Sequence, residues 1–230
     1  MLHKTRGIVL NYIKYRETSI IARIYTESFG IQSYMINSVR SKKSKKGLAL
    51  LQPLTVLDMV VYFKNQKSDG LQRISEYKPA HNFTSIPFDV KKSAMALFVT
   101  ELLAKVLKEE DDRGQVFEFL FQFILALDER KDKYGSLHIF LLVQLTHYIG
   151  FGIHAKKELE NENLLHELST SYDEIFEAVL LLNSSSLSDE LTMKNSLRRD
   201  VLNYMIEYYK LHIEGFKELK SLDVLTQIFR

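Results

Sequence analysis

Apolar and polar positions follow a short period up to about residue 80 and a helical period beyond it. Runs of β-branched and aromatic residues bounded by turn-forming residues predict strands. Five such runs occur, over 5–13, 19–26, 31–39, 54–63 and 71–78, the last only loosely alternating. They are separated by Tyr15-Arg16-Glu17-Thr18, by Ser28-Phe29-Gly30, by a long basic segment, and by residues 64–70. Five short strands with one longer insertion after the third is the strand count of an OB-fold, a small Greek-key barrel. An SH3-like barrel has a similar count, so the pattern leaves both open.

Residues 79–87 read as a linker holding two of the three prolines. Beyond it, spacings of three and four place Met95, Leu97, Phe98, Leu102, Leu103, Val106 and Leu107 on one stripe of a helix over 88–110. Asp111-Asp112-Arg113-Gly114 interrupts that helix. The segments 116–127 and 137–149 are apolar nearly all round and predict buried helices. Further helices are predicted over 172–182, where Asp173 and Glu174 suit the first turn, and over 194–213 and 219–229. Residues 153–170 are polar and indistinct, and 183–188 form a Ser-rich loop. The expectation is a two-domain protein, all-β then all-α: an OB-fold barrel over 1–80 and a helical domain over 81–230.

Composition narrows the function classes. The chain has 230 residues, 46% apolar and 26% charged, which suits a packed core rather than disorder. It has no cysteine, which excludes disulfides, Cys-ligated zinc, iron–sulfur clusters and thiol catalysis. No leader pattern occurs over 1–30, and no uncharged stretch reaches the roughly 18 residues of a membrane span, so a cytoplasmic protein is expected. The net charge of +2 conceals an asymmetry. Residues 1–80 carry 14 Lys and Arg against 5 Asp and Glu, a net +9; residues 81–230 carry 17 against 24, a net −7. A field of that sign on a small barrel attracts a polyanion, and nucleic acid is the usual one.

The densest charge lies in Arg40-Ser41-Lys42-Lys43-Ser44-Lys45-Lys46-Gly47, with five positive charges and no acid. Self-repulsion keeps such a loop solvated, and phosphates neutralise it with release of counterions. Arg40, Lys42, Lys43, Lys45 and Lys46 are therefore candidate DNA contacts, the alternative being a merely solvated loop. Lys4, Arg6, Lys14, Arg16, Arg23, Lys64, Lys67 and Arg73 add to the field. Tyr12, Tyr25, Tyr34, Tyr62 and Phe63 lie on strands, where an aromatic is more often core than a stacking platform. Tyr15 differs, because it sits in a polar turn beside Arg16; both are candidate DNA contacts. No phosphate-loop, dinucleotide or nucleophile-elbow motif occurs, and His147 and His154 lack a metal spacing. Glu109-Glu110-Asp111-Asp112 reads as a solvated helix end rather than a cation site. Nothing supports catalysis or a cofactor.

The order and spacing of several segments resemble the bacterial RecO recombination-mediator family. The segments are Arg6-Gly7-Ile8-Val9-Leu10, Tyr15-Arg16-Glu17-Thr18-Ser19, Tyr25-Thr26 followed by Phe29-Gly30, Val39-Arg40-Ser41 and Leu50-Leu51-Gln52-Pro53-Leu54. More loosely, Tyr148-Ile149-Gly150-Phe151 and Leu219-Lys220-Ser221-Leu222 agree as well. The resemblance implies an N-terminal OB-fold, a helical C-terminal domain, binding of single- and double-stranded DNA, and annealing of complementary strands. It also implies help in loading a recombinase onto strands coated by single-strand-binding protein (SSB), with RecR and the acidic tail of that protein as partners. The place implied is the bacterial cytoplasm, at the nucleoid. Many relatives carry a four-cysteine zinc site after the Gly-Phe helix end; residues 154–171 hold no Cys, so no zinc is expected. An acidic, apolar-ended tail needs a basic group beside an apolar groove in an otherwise acidic half. Arg198-Arg199, followed by Val201, Leu202, Met205 and Ile206, is the candidate, against the alternative of surface pairing with Glu or Asp. A different class of function also stays open: a barrel that docks RNA or protein as an adaptor, without annealing.

Overall fold

The computed structural model describes residues 1–40, 45–63, 70–107, 113–159 and 170–229. Strands β1 (Leu2–Tyr15), β2 (Ser19–Thr26), β3 (Gly30–Ile36), β4 (Val56–Tyr62) and β5 (Gln72–Pro79) close into a barrel in the order β1-β2-β3-β5-β4. Every pairing is antiparallel except β3 with β5, which are parallel. This closed five-stranded barrel is the OB type. The short helix α1 (Lys45–Ala49) lies in the insertion between β3 and β4.

The alternation read from the sequence points one side of each strand inward. Val9, Ile20, Ala22, Ile24, Tyr34, Ile36, Leu57, Met59 and Val61 fill the barrel, with Val39 and Leu51 closing it from the connecting segment. β1 is long enough to serve two neighbours: Leu2 to Ile8 pair with β4, and Gly7 to Tyr15 pair with β2. A register shift between Val9 and Asn11 makes Leu10 the extra residue, as in a β-bulge. Gly7 is required by close approach, since a Cβ there would lie 2.5 Å from Met59 Cε and 2.6 Å from Ile24 Cγ2.

The helices are α2 (Val90–Val106), α3 (Arg113–Glu129), α4 (Leu137–Tyr148), α5 (Lys156–Leu159), α6 (Tyr172–Ser184), α7 (Asn195–His212) and α8 (Lys220–Ile228). Asp89 caps α2 by accepting from the Lys91 and Lys92 amides at 2.8 and 3.1 Å. Within the stripe predicted for α2, Leu97 is the departure, because it is exposed. α6 opens on a capping box: the Glu174 amide donates to Ser171 Oγ, and the Ser171 amide donates to the Glu174 carboxylate.

By its packing the chain divides into two units, Met1–Phe121 and Gln122–Arg230. The strands end at Pro79, beside the compositional break near residue 80. The first unit runs further, because α2 packs on β1 and the start of α3 packs beside β2, with the Phe117 ring 6.0 Å from Tyr25. In the second unit, Tyr209 of α7 donates to the Leu142 carbonyl of α4 at 2.9 Å. Gln144 of α4 donates to the Leu182 and Asn183 carbonyls at the end of α6.

Candidate nucleic-acid interface

Tyr15 ends β1, and Arg16 turns the chain toward β2 with a φ of +50°, a left-handed conformation uncommon outside glycine. The Arg16 guanidinium lies over the Tyr15 ring, 5.3 Å from its centre. The segment leaving β3 is fastened to this turn. Ser19 Oγ donates to Asn37 Oδ1 at 3.1 Å, the Arg40 amide donates to the Thr18 carbonyl at 3.0 Å, and Arg40 Nη1 donates to the Arg16 carbonyl at 3.4 Å. Tyr15, Arg16 and Arg40 thus meet at one end of the barrel, although 24 residues separate Arg16 from Arg40. Both arginines are exposed and Tyr15 is half-buried. Lys42 and Lys43 lie outside the described residues, and Lys45 and Lys46 open α1. Past them, the fully buried Leu51 and the partly buried Leu48 and Leu50 anchor the segment in the barrel core.

Of the strand aromatics, Tyr25 and Tyr34 are core, while Tyr62 is exposed. Phe63 stacks on Phe29 at 4.0 Å. Arg6, which its charge alone adds to the field, is committed within the protein. It binds Glu27 through two hydrogen bonds of 3.0 and 2.8 Å, reaches Glu118 at 3.1 Å, and lies over the rings of Phe117 and Phe121. Hydrogen bonding to Glu27 raises the Arg6 pKa, and the same pair holds the Glu27 carboxyl below its ordinary range.

The second candidate lies in the helical unit. A pocket of about 380 Å³ is lined by Arg198, Arg199 and Leu202 of α7, by Leu225 and Phe229 at α8, and by His138 of α4. Arg198 donates to Asn195 Oδ1 at 3.0 Å and to the Phe229 carbonyl at 3.3 Å, and its guanidinium lies 5.5 Å from the centre of the Phe229 ring. Among the described residues its partners are neutral, and burial lowers its pKa. Arg199 faces the buried Asp200 at 3.6 Å. Among the described residues an acid therefore pairs with Arg199 and none with Arg198. The apolar lining also differs from the run along α7: Val201 and Met205 are core, whereas Leu225 and Phe229 come from the next helix. His138 forms the floor, its pKa pushed down to about 3 by burial and then by the charge of Arg198. Its ring is 5.6 Å from Phe229. Helical periodicity hides His138 in an apolar run and gives no sign that the end of α8 returns to α7.

A cysteine zinc site does not fit this chain. His147 and His154 stand ring to ring at 5.0 Å, and His147 Nε2 is engaged with Asn183 Oδ1 at 2.9 Å. Among the described residues no three His, Cys, Asp or Glu side chains converge on a metal position. Nor is any described helix long and apolar enough to cross a membrane.

A closed OB-type barrel followed by helices defines a class of two-part proteins, and comparison with known families places the chain within it. Residues 1–83 match the family described as Recombination protein O N terminal, and residues 87–186 match Recombination protein O C terminal. The chain is 36% identical to DNA repair protein RecO of Bacteroides fragilis over all of both chains. It is 33% identical to that of Flavobacterium psychrophilum over 98% of each, and 34% identical to that of Christiangramia forsetii over all of both. The chain belongs to the RecO family of DNA repair proteins, whose name carries no enzymatic activity.

Proposed function

We propose that this protein is a recombination mediator of the bacterial cytoplasm, acting at the nucleoid. It binds single- and double-stranded DNA, anneals complementary strands, and helps load a recombinase onto strands coated by SSB, with RecR as a partner. The carrying observation is the junction of Tyr15, Arg16 and Arg40, which leads directly into the basic run ending at Lys46. Phosphate contacts of this kind give affinity without sequence preference. The test is a single-strand titration at several salt concentrations, with Arg16, Arg40, Lys42, Lys43, Lys45 and Lys46 replaced by Ala. Affinity falls for all sequences alike, and the salt slope flattens by about one for each phosphate left without its cation. An unchanged slope returns the segment to the status of a solvated loop. A barrel that docks protein instead, as an adaptor, shows shallow salt dependence from the start.

The pocket at Arg198 suits the acidic tail of SSB. A guanidinium with neutral partners can take a carboxylate, and Leu202, Leu225 and Phe229 can take an apolar end. A peptide ending in acidic residues and Phe binds the wild type more tightly than an Arg198→Ala, Arg199→Ala variant. Equal affinities remove this pocket from the reading and leave the DNA-binding part intact.

A further inference from the structure

The pocket at Arg198 joins three helices, and one of its residues does more than line it. Phe229, which ends α8, places its ring 5.5 Å from the Arg198 guanidinium and 5.6 Å from the His138 ring. Its carbonyl accepts from Arg198 Nη2 at 3.3 Å. An aromatic ring and an acceptor oxygen are the two groups that an acidic peptide ending in Phe would bring to a guanidinium beside an apolar surface. The turn before α4 is cut back to admit them. A Cβ on Gly135 would lie 2.9 Å from Arg198 Nη1 and 3.8 Å from Phe229 Cε1, so a larger residue would crowd the guanidinium on which Phe229 rests.

The hold on Phe229 is exchangeable. Its carbonyl is a neutral acceptor, and 3.3 Å lies at the long edge of the N–H···O range. A carboxylate on the same guanidinium makes a charge-assisted bond about twice as strong. Burial strips hydration from Arg198, and its described acceptors, Asn195 Oδ1 and the Phe229 carbonyl, supply no opposite charge in return. α8 is also lightly seated. It has nine residues, its N-cap Leu219 makes no side-chain capping bond, and Leu225 is its one buried side chain among the described residues. Displacing the last turn gives up the bond from the Phe229 amide to the Leu225 carbonyl at 3.1 Å, a terminal helical bond that water replaces. Leu225 stays behind as the anchor, and a short helix end of this kind opens readily.

We infer that Phe229 is an internal plug: it sits where the terminal aromatic residue of a peptide ligand would sit, and the incoming peptide displaces the last turn of α8. The helical unit is then self-blocked at rest. Its affinity is set by competition between a tethered surrogate and a free ligand. A tethered group acts at high effective concentration, so even a weak hold lowers the apparent affinity by the fraction of time the pocket stands open. The inference rests on the peptide-binding reading above and adds its regulation.

The experiment titrates a fluorescein-labelled acidic peptide ending in Phe against full-length wild type, Phe229→Ala, and Phe229→Ala combined with Arg198→Ala. If the pocket stands open about one tenth of the time, Phe229→Ala binds about tenfold more tightly than the wild type. Were Phe229 only a wall, its removal would weaken binding, so the sign of the change decides. Phe229→Trp keeps an aromatic ring and, because the chain has no Trp, supplies a sole reporter. Its emission shifts to the red when unlabelled peptide is added, as the indole leaves the pocket for water. A wall that the peptide covers shifts to the blue. A Phe229→Ala variant that keeps the wild-type thermal midpoint and binds equally or more weakly overturns the inference, and so does a blue-shifted or unmoved Trp emission. In either case a wild type that binds the peptide keeps the pocket as a peptide site. Tighter binding that survives the added Arg198→Ala places the peptide elsewhere and overturns the plug too. If neither the wild type nor Phe229→Ala binds, the peptide reading itself fails and the plug falls with it. Binding by Phe229→Ala with none by the wild type is the plug in its tightest form.

Discussion

At the scale of single residues, charge by itself is a poor guide to role. Arg6 and Arg16 look equivalent in the sequence, yet one is held by Glu27, Glu118 and two Phe rings while the other is exposed over Tyr15. Arg6→Ala should cost about 1–2 kcal/mol in denaturant unfolding, because a bidentate pair and its packing are removed together. It should leave the salt slope of DNA binding unchanged, whereas Arg16→Ala should flatten the slope and leave stability alone. His138 makes a prediction in pH. Its folded pKa, about 3, lies below the usual 6.5, so the unfolded chain binds the proton first. The contribution of neutral His138 is complete above about pH 6.5 and is lost progressively toward about pH 3. Unfolding free energies measured at neutral pH and near pH 4.5 should differ less in His138→Phe than in the wild type. An equal difference would show that other groups set the acid limb.

At the scale of elements, strands and helices were legible because each obeys a local period. All five strand runs overlap observed strands, and the helix stripes match α2, α3, α4, α6, α7 and α8 within a few residues. What the period does not carry is where distant segments meet. The fastening of Arg40 to the β1–β2 turn rests on backbone hydrogen bonds, to which side-chain pattern is blind. The floor of the Arg198 pocket joins three helices, and none of them announces the others. Charge density singled out Arg40 as a candidate and the polar turn singled out Tyr15 and Arg16; no pattern in the sequence shows that these two segments meet. The capping box at α6 is a local feature that both levels share. Ser171→Ala should destabilise the protein by about 1 kcal/mol, read as a lowered thermal midpoint, with Thr restoring most of it. No change would mean that packing alone fixes the start of α6.

For the whole molecule, the +9 and −7 halves set opposite relations to a polyanion, which is why the proposed DNA contacts are sought on the barrel. A helical unit without cysteine must hold by packing, as the buried Leu141, Leu142, Tyr204 and Tyr209 indicate. Chelator treatment should therefore leave the thermal midpoint in place, and stoichiometric zinc in metal analysis would contradict this.

The barrel also has one join unlike the rest. β3 meets β5 in parallel through only two partner pairs, Tyr34 with Gln72 and Met35 with Arg73, while each antiparallel pairing extends over at least six. Sequential hairpins can form β1-β2-β3 and β4-β5 from near neighbours; of the two joins between them, β1 with β4 links residues 48 to 60 apart through seven partner pairs, whereas β3 with β5 links residues 38 apart through two. With the fewest ladder pairs to hold it, the β3–β5 join is the one expected to open first. Among the barrel's ladders, amide exchange should be fastest along that seam, where Tyr34 and Met35 meet Gln72 and Arg73. Any ligand that bridges β3 and β5 would then register as slowed exchange there before any other part of the barrel changed.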